Sequence, residues 1–504
     1  GCGDFNNKYD YLYVWPVRGG QVGVIDNDGD GVTDNIDLCP GTLLGEVVNY
    51  KGCPVPYFNQ AWEPWWKLDY DSAKTATPPF YCGTLIKGCG CKMTAAAMLL
   101  KFYGVDLSSS GEATTPETLN KWLIDNDGYD DQGNVDLPSI AEYSAQANAL
   151  FQTQKIEWKG IKWGENKTFL DNLLESGSPA ILAVDKNSPH TGKYNHFVVA
   201  TGKMSDTYTI NDPGKELYHT LENYDNHFLK IEYFEKTNSD FSTIYITTSA
   251  PTQIFLVDEL GRRVGRDPVT GIVYEEIPNS FYYLQPPLTD DSIEEAPLPP
   301  EGSGTTTLAI IHPPAGSFNI TSSGFDREYR IKFSGYDRGA GRTTIRFKGA
   351  TQNYILNYSP YIDSKMIVTP IPEWYKDTDN DGYSDGITLT QYLRPTGYKL
   401  PSELIATSGD CDDGNPVINP ATLWYKDADG DGYSDGTTLT QCTRPTGYKL
   451  ATELSAISGD CNDNNASVHP GATEVCNSID DDCNGQIDEN YVFGGFQQPM
   501  NSDG

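Results

Sequence analysis

Cys91 sits where the chain changes character. The run Gly-Cys-Gly-Cys-Lys-Met-Thr at 88–94 leads into Ala-Ala-Ala-Met-Leu-Leu-Lys-Phe-Tyr-Gly at 95–104, a stretch rich in strong helix formers. A thiol on the first turn of a helix faces unpaired backbone N–H groups and the positive end of the macrodipole, which favour thiolate over thiol. About a hundred residues later His196 begins the apolar strand His-Phe-Val-Val-Ala-Thr-Gly, and Asp212 ends the strand Thr-Tyr-Thr-Ile-Asn-Asp-Pro. Cysteine at a helix start, histidine on a strand and aspartate at the next strand end supply a nucleophile, a base and an orienter for acyl transfer.

The pieces around these residues occur in a recognisable order. Phe-Asn-Gln-Ala-Trp-Glu-Pro-Trp at 58–65 precedes Gly-Cys-Lys-Met-Thr-Ala-Ala-Ala-Met-Leu-Leu-Lys-Phe-Tyr-Gly at 90–104, then Asn-His-Phe-Val-Val-Ala-Thr-Gly at 195–202 and Asn-Asp-Pro at 211–213. Residues 57–213 thus resemble a papain-like cysteine peptidase of the bacterial type that trims leader peptides after double glycine. The resemblance implies an α+β papain-like domain in which Gln60 donates to the oxyanion, Cys91 attacks, His196 is the base and Asp212 holds the imidazole. Counted back from Phe-Tyr-Gly, Cys91 and not Cys89 falls where that family places its thiol. His190 lies in a polar Ser-Pro-His-Thr-Gly loop and reads as a surface histidine.

Acidic residues dominate the rest of the chemistry. Asp26-Asn-Asp28-Gly-Asp30-Gly-Val32-Thr-Asp34-Asn-Ile-Asp37 places oxygen ligands at loop positions 1, 3, 5, 9 and 12, with glycine at 6 and the Val32 carbonyl at 7. That spacing wraps a chain around one Ca²⁺. With Leu-Cys39-Pro and Gly-Cys53-Pro following, residues 25–54 resemble a thrombospondin type 3 repeat, which implies bound calcium and a disulfide.

A second pattern is an internal repeat with an offset of 50 residues. Trp374-Tyr-Lys-Asp-Thr-Asp-Asn-Asp-Gly-Tyr-Ser-Asp-Gly recurs from Trp424, Arg394-Pro-Thr-Gly-Tyr-Lys-Leu from Arg444, and Gly409-Asp-Cys-Asp-Asp as Gly459-Asp-Cys-Asn-Asp. The first copy offers Asp377, Asp379, Asp381, the Tyr383 carbonyl and Asp385; the second offers Asp427, Asp429, Asp431, the Tyr433 carbonyl and Asp435. Position 12 is threonine in both, so the missing carboxylates are expected from Asp410, Asp412 and Asp413, and from Asp460 and Asp463. A terminal loop repeats the spacing with Asp480, Asp482, Asn484, Gln486 and Asp488. These segments resemble metal-binding repeats of secreted bacterial proteins. Residues 371–490 hold 22 acidic and 6 basic side chains, a net of −16 that needs bound cations to pack. All-oxygen ligands select calcium, several ions in a structural role, at affinities of roughly 10⁻⁴–10⁻³ M for extracellular modules.

Composition limits the alternatives. With 36 basic and 70 acidic residues the chain repels nucleic acid and anionic membranes unless cations intervene. No apolar run is long enough to span a bilayer. No signal peptide is visible; the start at Gly1 reads as a mature or trimmed chain, and Cys2 is one residue late for a lipid-modified N-terminal cysteine. Eleven cysteines suit a secreted or cell-surface, oxidising location, with Cys91 as the odd thiol. Sequence neighbours suggest Cys39–Cys53, Cys82–Cys89, Cys442–Cys461 and Cys476–Cys483, leaving Cys2 and Cys411.

Alternating apolar runs at 243–247, 253–257, 307–311, 329–333 and 344–347, with Gly261, Gly265 and Gly271 at turns, predict an all-β sandwich; 284–304 reads as a long exposed loop. The chain is therefore expected to be multidomain: an N-terminal arm (1–24), a calcium repeat (25–54), the peptidase-like domain (55–241), the sandwich (242–370), irregular calcium-binding loop repeats (371–420 and 421–490) and a tail (491–504). Two functions fit, and they are not exclusive. One is a calcium-stabilised cysteine peptidase acting on a peptide or protein substrate. The other is a structural subunit of an extracellular filament or surface layer, with the peptidase-like domain as building block or self-processing unit, in a homopolymer joined by the edge-strand-like arm (Tyr11, Tyr13, Trp15) and a Cys2–Cys411 link.

Overall fold

A computed structural model of the chain describes residues 25–43, 48–71, 82–185, 196–249, 251–286, 304–324, 329–349 and 352–489. The arm with Cys2, Tyr11, Tyr13 and Trp15, His190 and the tail from 491 lie outside them. The chain divides into two compact units, residues 1–369 and 370–504.

In the first unit five helices, α1 (Ile86–Cys89), α2 (Cys91–Phe102), α3 (Pro116–Asp125), α4 (Leu137–Phe151) and α5 (Lys167–Glu175), accompany strands β1 (Ile156–Trp163), β2 (Ala180–Val184), β3 (His196–Met204), β4 (Thr207–Asn211) and β5 (Lys230–Lys236). The strands form one antiparallel sheet in the order β1-β5-β2-β3-β4. β2 and the first half of β3 are buried on both faces, and the two-residue period sorts their side chains. Ile181, Ala183, Phe197 and Val199 join the cluster around α2, while Leu182, Val184, Val198 and Ala200 join that of α5. Residues 91–100 of α2 are all buried, Lys92 and Thr94 along with the apolar ones. Pro116 opens α3 behind a Thr115 capping box, and Asn166 caps α5.

The following strands are β6 (Thr243–Thr248), β7 (Thr252–Asp258), β8 (Arg263–Arg266), β9 (Val273–Glu275), β10 (Ser280–Gln285), β11 (Thr305–Ile311), β12 (Gly316–Gly324), β13 (Tyr329–Tyr336), β14 (Arg342–Gly349), β15 (Gln352–Tyr358) and β16 (Ile367–Ile371). They make two sheets, β10-β11-β6-β13-β14 and β16-β15-β12-β7-β8-β9, around one core. All five predicted runs are strands. Gly265, expected at a turn, instead lies inside β8. β6 has two buried faces: Ile244 and Ile246 point into the sandwich, whereas Tyr245 packs with Trp158 in the helical cluster. The boundary expected at 241/242 is therefore a change of sheet, not a break in packing.

Polar anchors reinforce that junction. Lys332 of β13 is 2% exposed and donates to the carbonyls of Asp127 (2.8 Å) and Tyr129 (2.9 Å) and to Asp136 Oδ2 (2.6 Å). Arg342 of β14 lies 3.4 Å from Glu142 of α4. A buried ammonium with three acceptors avoids the cost of an unpaired charge.

The second unit repeats itself in three dimensions. β17 (Glu373–Lys376), β18 (Thr388–Thr390) and β19 (Tyr398–Lys399) form one small sheet; β20 (Leu423–Lys426), β21 (Thr438–Thr440) and β22 (Tyr448–Lys449) form its copy. In each, an arginine lies over the tryptophan, Arg394 at 4.9 Å from the Trp374 ring and Arg444 at 5.0 Å from Trp424.

Among the described residues there are four disulfides: Cys39–Cys53, Cys82–Cys89, Cys411–Cys442 and Cys461–Cys483. The first two match the sequence expectation. The last two correct it: Cys411 reaches Cys442 in the second repeat, Cys461 reaches Cys483 in the terminal loop, and Cys476 is left as an exposed thiol. Cys411 is thereby used within the chain, so it does not serve the proposed link to Cys2.

Candidate active site and acidic clusters

Gly90 is the N-cap of α2 and Cys91 its first residue. A Cβ at Gly90 would stand 2.6 Å from the Ile86 carbonyl oxygen, so the turn from α1 into α2 requires glycine. The Cys82–Cys89 bridge fixes the same turn and does not involve Cys91, which is 2% exposed. α2 packs against β3, whose first residue is His196.

His196 and Asp212 are brought together. Nε2 of His196 lies 2.7 Å from Asp212 Oδ1, both side chains being buried. That oxygen also accepts from the backbone N–H groups of Gly214 (2.8 Å) and Lys215 (3.0 Å), and Oδ2 accepts from the Tyr224 hydroxyl (2.5 Å). Four donors fix one carboxylate in the plane the imidazole needs. The Tyr224 ring stacks on His196 at 6.1 Å, and a Cβ at Gly214 would come within 3.0 Å of His196 Cε1. Tyr57 donates to the Asp212 carbonyl at 3.0 Å; burial pushes its own phenol up to about 12, with Asn59 opposing and Asp212 adding to the rise.

Gln60 is 1% exposed; its backbone N–H donates to Pro213 O (2.9 Å) and Nε2 to Lys87 O (2.6 Å). Gln60 is thus tied both to the loop after Asp212 and to the turn before Cys91. Sequence reasoning missed Tyr224, which sits in a short 3₁₀ turn, Leu221–Tyr224, with no periodic signal to mark it.

Beneath the site lies a buried charge group that the sequence also hides. Glu232 Oε1 accepts from Lys92 at 3.1 Å and from Lys230 at 2.7 Å, and all three side chains are within 2% of full burial. Burial pulls the Lys230 ammonium down to about 8, with Glu232 opposing and Lys92 adding to the fall. Burial alone would raise the Glu232 carboxyl, but the two ammonium groups outweigh it and hold it below the usual range.

Carboxylates gather in five places among the described residues: Asp26/Asp28/Asp30, Asp377/Asp379/Asp381, Asp427/Asp429/Asp463, Asp429/Asp431/Asp460 and Glu474/Asp482/Glu489, with ligand oxygens within 4.8 Å of one another in each. Asp30, Asp377, Asp427, Asp460 and Asp463 are each less than 9% exposed. Oδ2 of Asp30 and of Asp460 and Oδ1 of Asp377 have no hydrogen-bond partner, an arrangement that suits a cation. Asp460 and Asp463 do come in from the Gly-Asp-Cys segment, and the charge of Asp410 is felt at Asp379.

The remaining predicted ligands have ion-pair or hydrogen-bond partners of their own. Asp385 and Asp435 pair with Lys376 (3.0 Å) and Lys426 (2.9 Å), and Asp413 with Lys376 (2.6 Å). Asp412 accepts from Gly414 N, Asp34 from Asn27, and Asp37 from Cys39 N. The backbone N–H groups of Val32, Tyr383 and Tyr433 donate to the carboxylates two residues before them. Asp480 accepts from Asn484 N and Gly485 N, Asn484 Oδ1 from Gln486 N, and Asp488 from Asn477 N and Ser478 N. In the terminal loop Asp482 therefore meets Glu474 and Glu489, two ligands the loop template did not contain.

A family model described as Peptidase C39-like matches residues 53–240, and one for a metal-binding motif of the Cu-binding MopE type matches residues 410–423 and 460–489. No curated protein and no solved structure matches the chain. Among the described residues no helix is long and apolar enough to cross a membrane. Residues 53–240 are therefore similar to the Peptidase C39-like family, and the C-terminal segments are similar to a metal-binding motif.

Proposed function

We propose that the domain at 55–241 is a cysteine peptidase, stabilised with its neighbours by calcium, in a secreted or cell-surface protein. The observation that carries this reading is the buried His196–Asp212 pair at the head of the strand against which the Cys91 helix packs. Because Nε2 is committed to Asp212, Nδ1 is the nitrogen that takes the thiol proton. The thiolate attacks the scissile carbonyl, and the oxyanion accepts from the Cys91 N–H and from the Gln60 hydrogen not directed at Lys87. His196 returns its proton to the leaving amine, and water then resolves the acyl-enzyme.

For the clusters, hard carboxylate oxygens favour calcium over copper. His469, which lies inside the matched motif, stacks on Tyr433 at 4.6 Å and is not in any of the acidic groups.

A Gly-Gly peptidyl acyloxymethyl ketone tests the peptidase reading. It should form a thioether at Cys91 in the native protein and leave His196→Ala unlabelled. Equal labelling of both proteins, or none of either, overturns it.

A further inference from the structure

We propose that the Asp26/Asp28/Asp30 cluster is a cation site that controls the catalytic centre, resting for its consequence on the peptidase reading above. This cluster lies outside both matched stretches. Its fit to a hard divalent cation rests on two observations. Three carboxylates converge within 4.8 Å, and Asp30, 7% exposed, directs into the group an Oδ2 with no hydrogen-bond partner. Without a cation three such charges repel at close range.

The cluster is joined to the active site by a short series of contacts. Asp28 Oδ2 accepts from the N–H groups of Gly41 (2.6 Å) and Thr42 (2.9 Å), and the Thr42 hydroxyl donates to Gly52 O (2.8 Å). A Cβ on Gly52 would stand 3.0 Å from Asp30 Oδ2, so the acidic loop lies directly against the segment that follows. The Cys39–Cys53 bridge ties the two covalently. Beyond Cys53, Asn211 Nδ2 donates to Val55 O (3.0 Å), Tyr57 to Asp212 O (3.0 Å) and the Gln60 N–H to Pro213 O (2.9 Å). Segment 53–60 thus carries Gln60 and clamps the loop that holds Asp212. A cation that draws the carboxylates together fixes the base of this segment; its loss lets the acidic loop open and slackens Gln60 and Asp212 together. The cation stays outside the chemistry and acts by positioning.

Hydrogen exchange read by mass spectrometry on the full chain, in CaCl₂ and in excess EGTA, tests the coupling. EGTA should raise deuterium uptake at least tenfold in rate in peptides covering 57–62 and 213–218. Asp30→Asn and Asp26→Asn should do the same in CaCl₂, with kcat for a Gly-Gly peptide falling at least tenfold. Glu373→Gln, at an exposed carboxylate outside the acidic clusters, should leave both readouts within twofold. Unchanged exchange at 57–62 in EGTA and in both N-terminal variants overturns the proposal. Failure of Cys91 to react in every state would instead overturn the peptidase reading, while the exchange data still decide the coupling.

Discussion

The Tyr224 hydroxyl donates to Oδ2 of Asp212 at 2.5 Å while His196 holds Oδ1 of the same carboxylate at 2.7 Å. The tyrosine thereby sets the carboxylate's rotation, and its ring closes one side of the imidazole. A hydrogen bond to a charged group contributes about 1.5–3 kcal/mol. Tyr224→Phe should lower kcat/KM about tenfold with a modest fall in melting temperature, because the ring is kept and only the donor is lost. Steady-state hydrolysis alongside a thermal melt checks this. An unchanged kcat/KM would remove Tyr224 from the site.

Glu232 separates two ammonium groups that cannot reach water. Glu232→Gln leaves both charges buried and facing each other, at a cost of about 3–5 kcal/mol. Lys230→Met combined with Glu232→Gln should recover much of that loss, since it removes one ammonium as well as the carboxylate. Melting of the Cys91→Ala chain and its two derivatives compares them without self-cleavage. A single variant as stable as its parent would show that this buried group is not needed for packing.

The junction between the helical domain and the sandwich should respond to pH. Burial raises the Glu142 carboxyl from 4.5 to about 7, with Arg342 opposing. The folded state therefore binds the proton more tightly than the unfolded state. This group's contribution is complete below pH 4.5 and is lost as pH rises through about 7, on the order of 3 kcal/mol in all. Measured from pH 5 to pH 8, the melting temperature of the native chain should fall relative to that of Glu142→Gln. A constant difference across that range refutes the assignment.

The parts legible in the sequence are those in which local pattern and global role coincide. Cys91 follows a position where a Cβ would clash, at the head of a helix with a run of strong helix formers; His196 opens a strand that alternates into two cores, and Asp212 follows one whose Tyr208 and Ile210 enter the α5 core. Each left a signal within about ten residues. Tyr224, Lys92 with Glu232 and Lys230, and Lys332 in its cage left none, because their partners are brought together by the sheet and the sandwich and not by spacing. The same reason explains the disulfides. Cys39–Cys53 and Cys82–Cys89 close local loops, whereas Cys411–Cys442 and Cys461–Cys483 span 31 and 22 residues between modules. Proximity in sequence is a poor guide where a repeat makes two equivalent cysteines available.

The loop template itself gives the last prediction, because the carboxylates it names are not the same set as those that gather in the structure. By spacing, Asp435 is the position-9 ligand of the second repeat. In the structure its carboxylate pairs with Lys426 at 2.9 Å, while Asp460, from 29 residues beyond Asp431, completes the group with Asp429 and Asp431. Lys426 also reaches Asp463 at 2.7 Å and Lys449 reaches Asp427 at 2.6 Å, so the Asp427/Asp463 side carries its own counter-charge. The Asp429/Asp431/Asp460 side has no such lysine partner in the second unit's described ion pairs, which leaves it without a counter-charge there. Asp431→Asn and Asp460→Asn should each weaken calcium binding to the second unit at least tenfold and bring its melting down toward that of the chelated protein. Asp435→Asn breaks only a half-exposed ion pair, worth about 0–1 kcal/mol, and should leave calcium affinity within about twofold. Calorimetric titration of the full chain, with Asp30→Asn as background to silence the N-terminal cluster, separates the two. A loss in Asp435→Asn equal to that in Asp460→Asn would restore the template and displace the ligand set read from the structure.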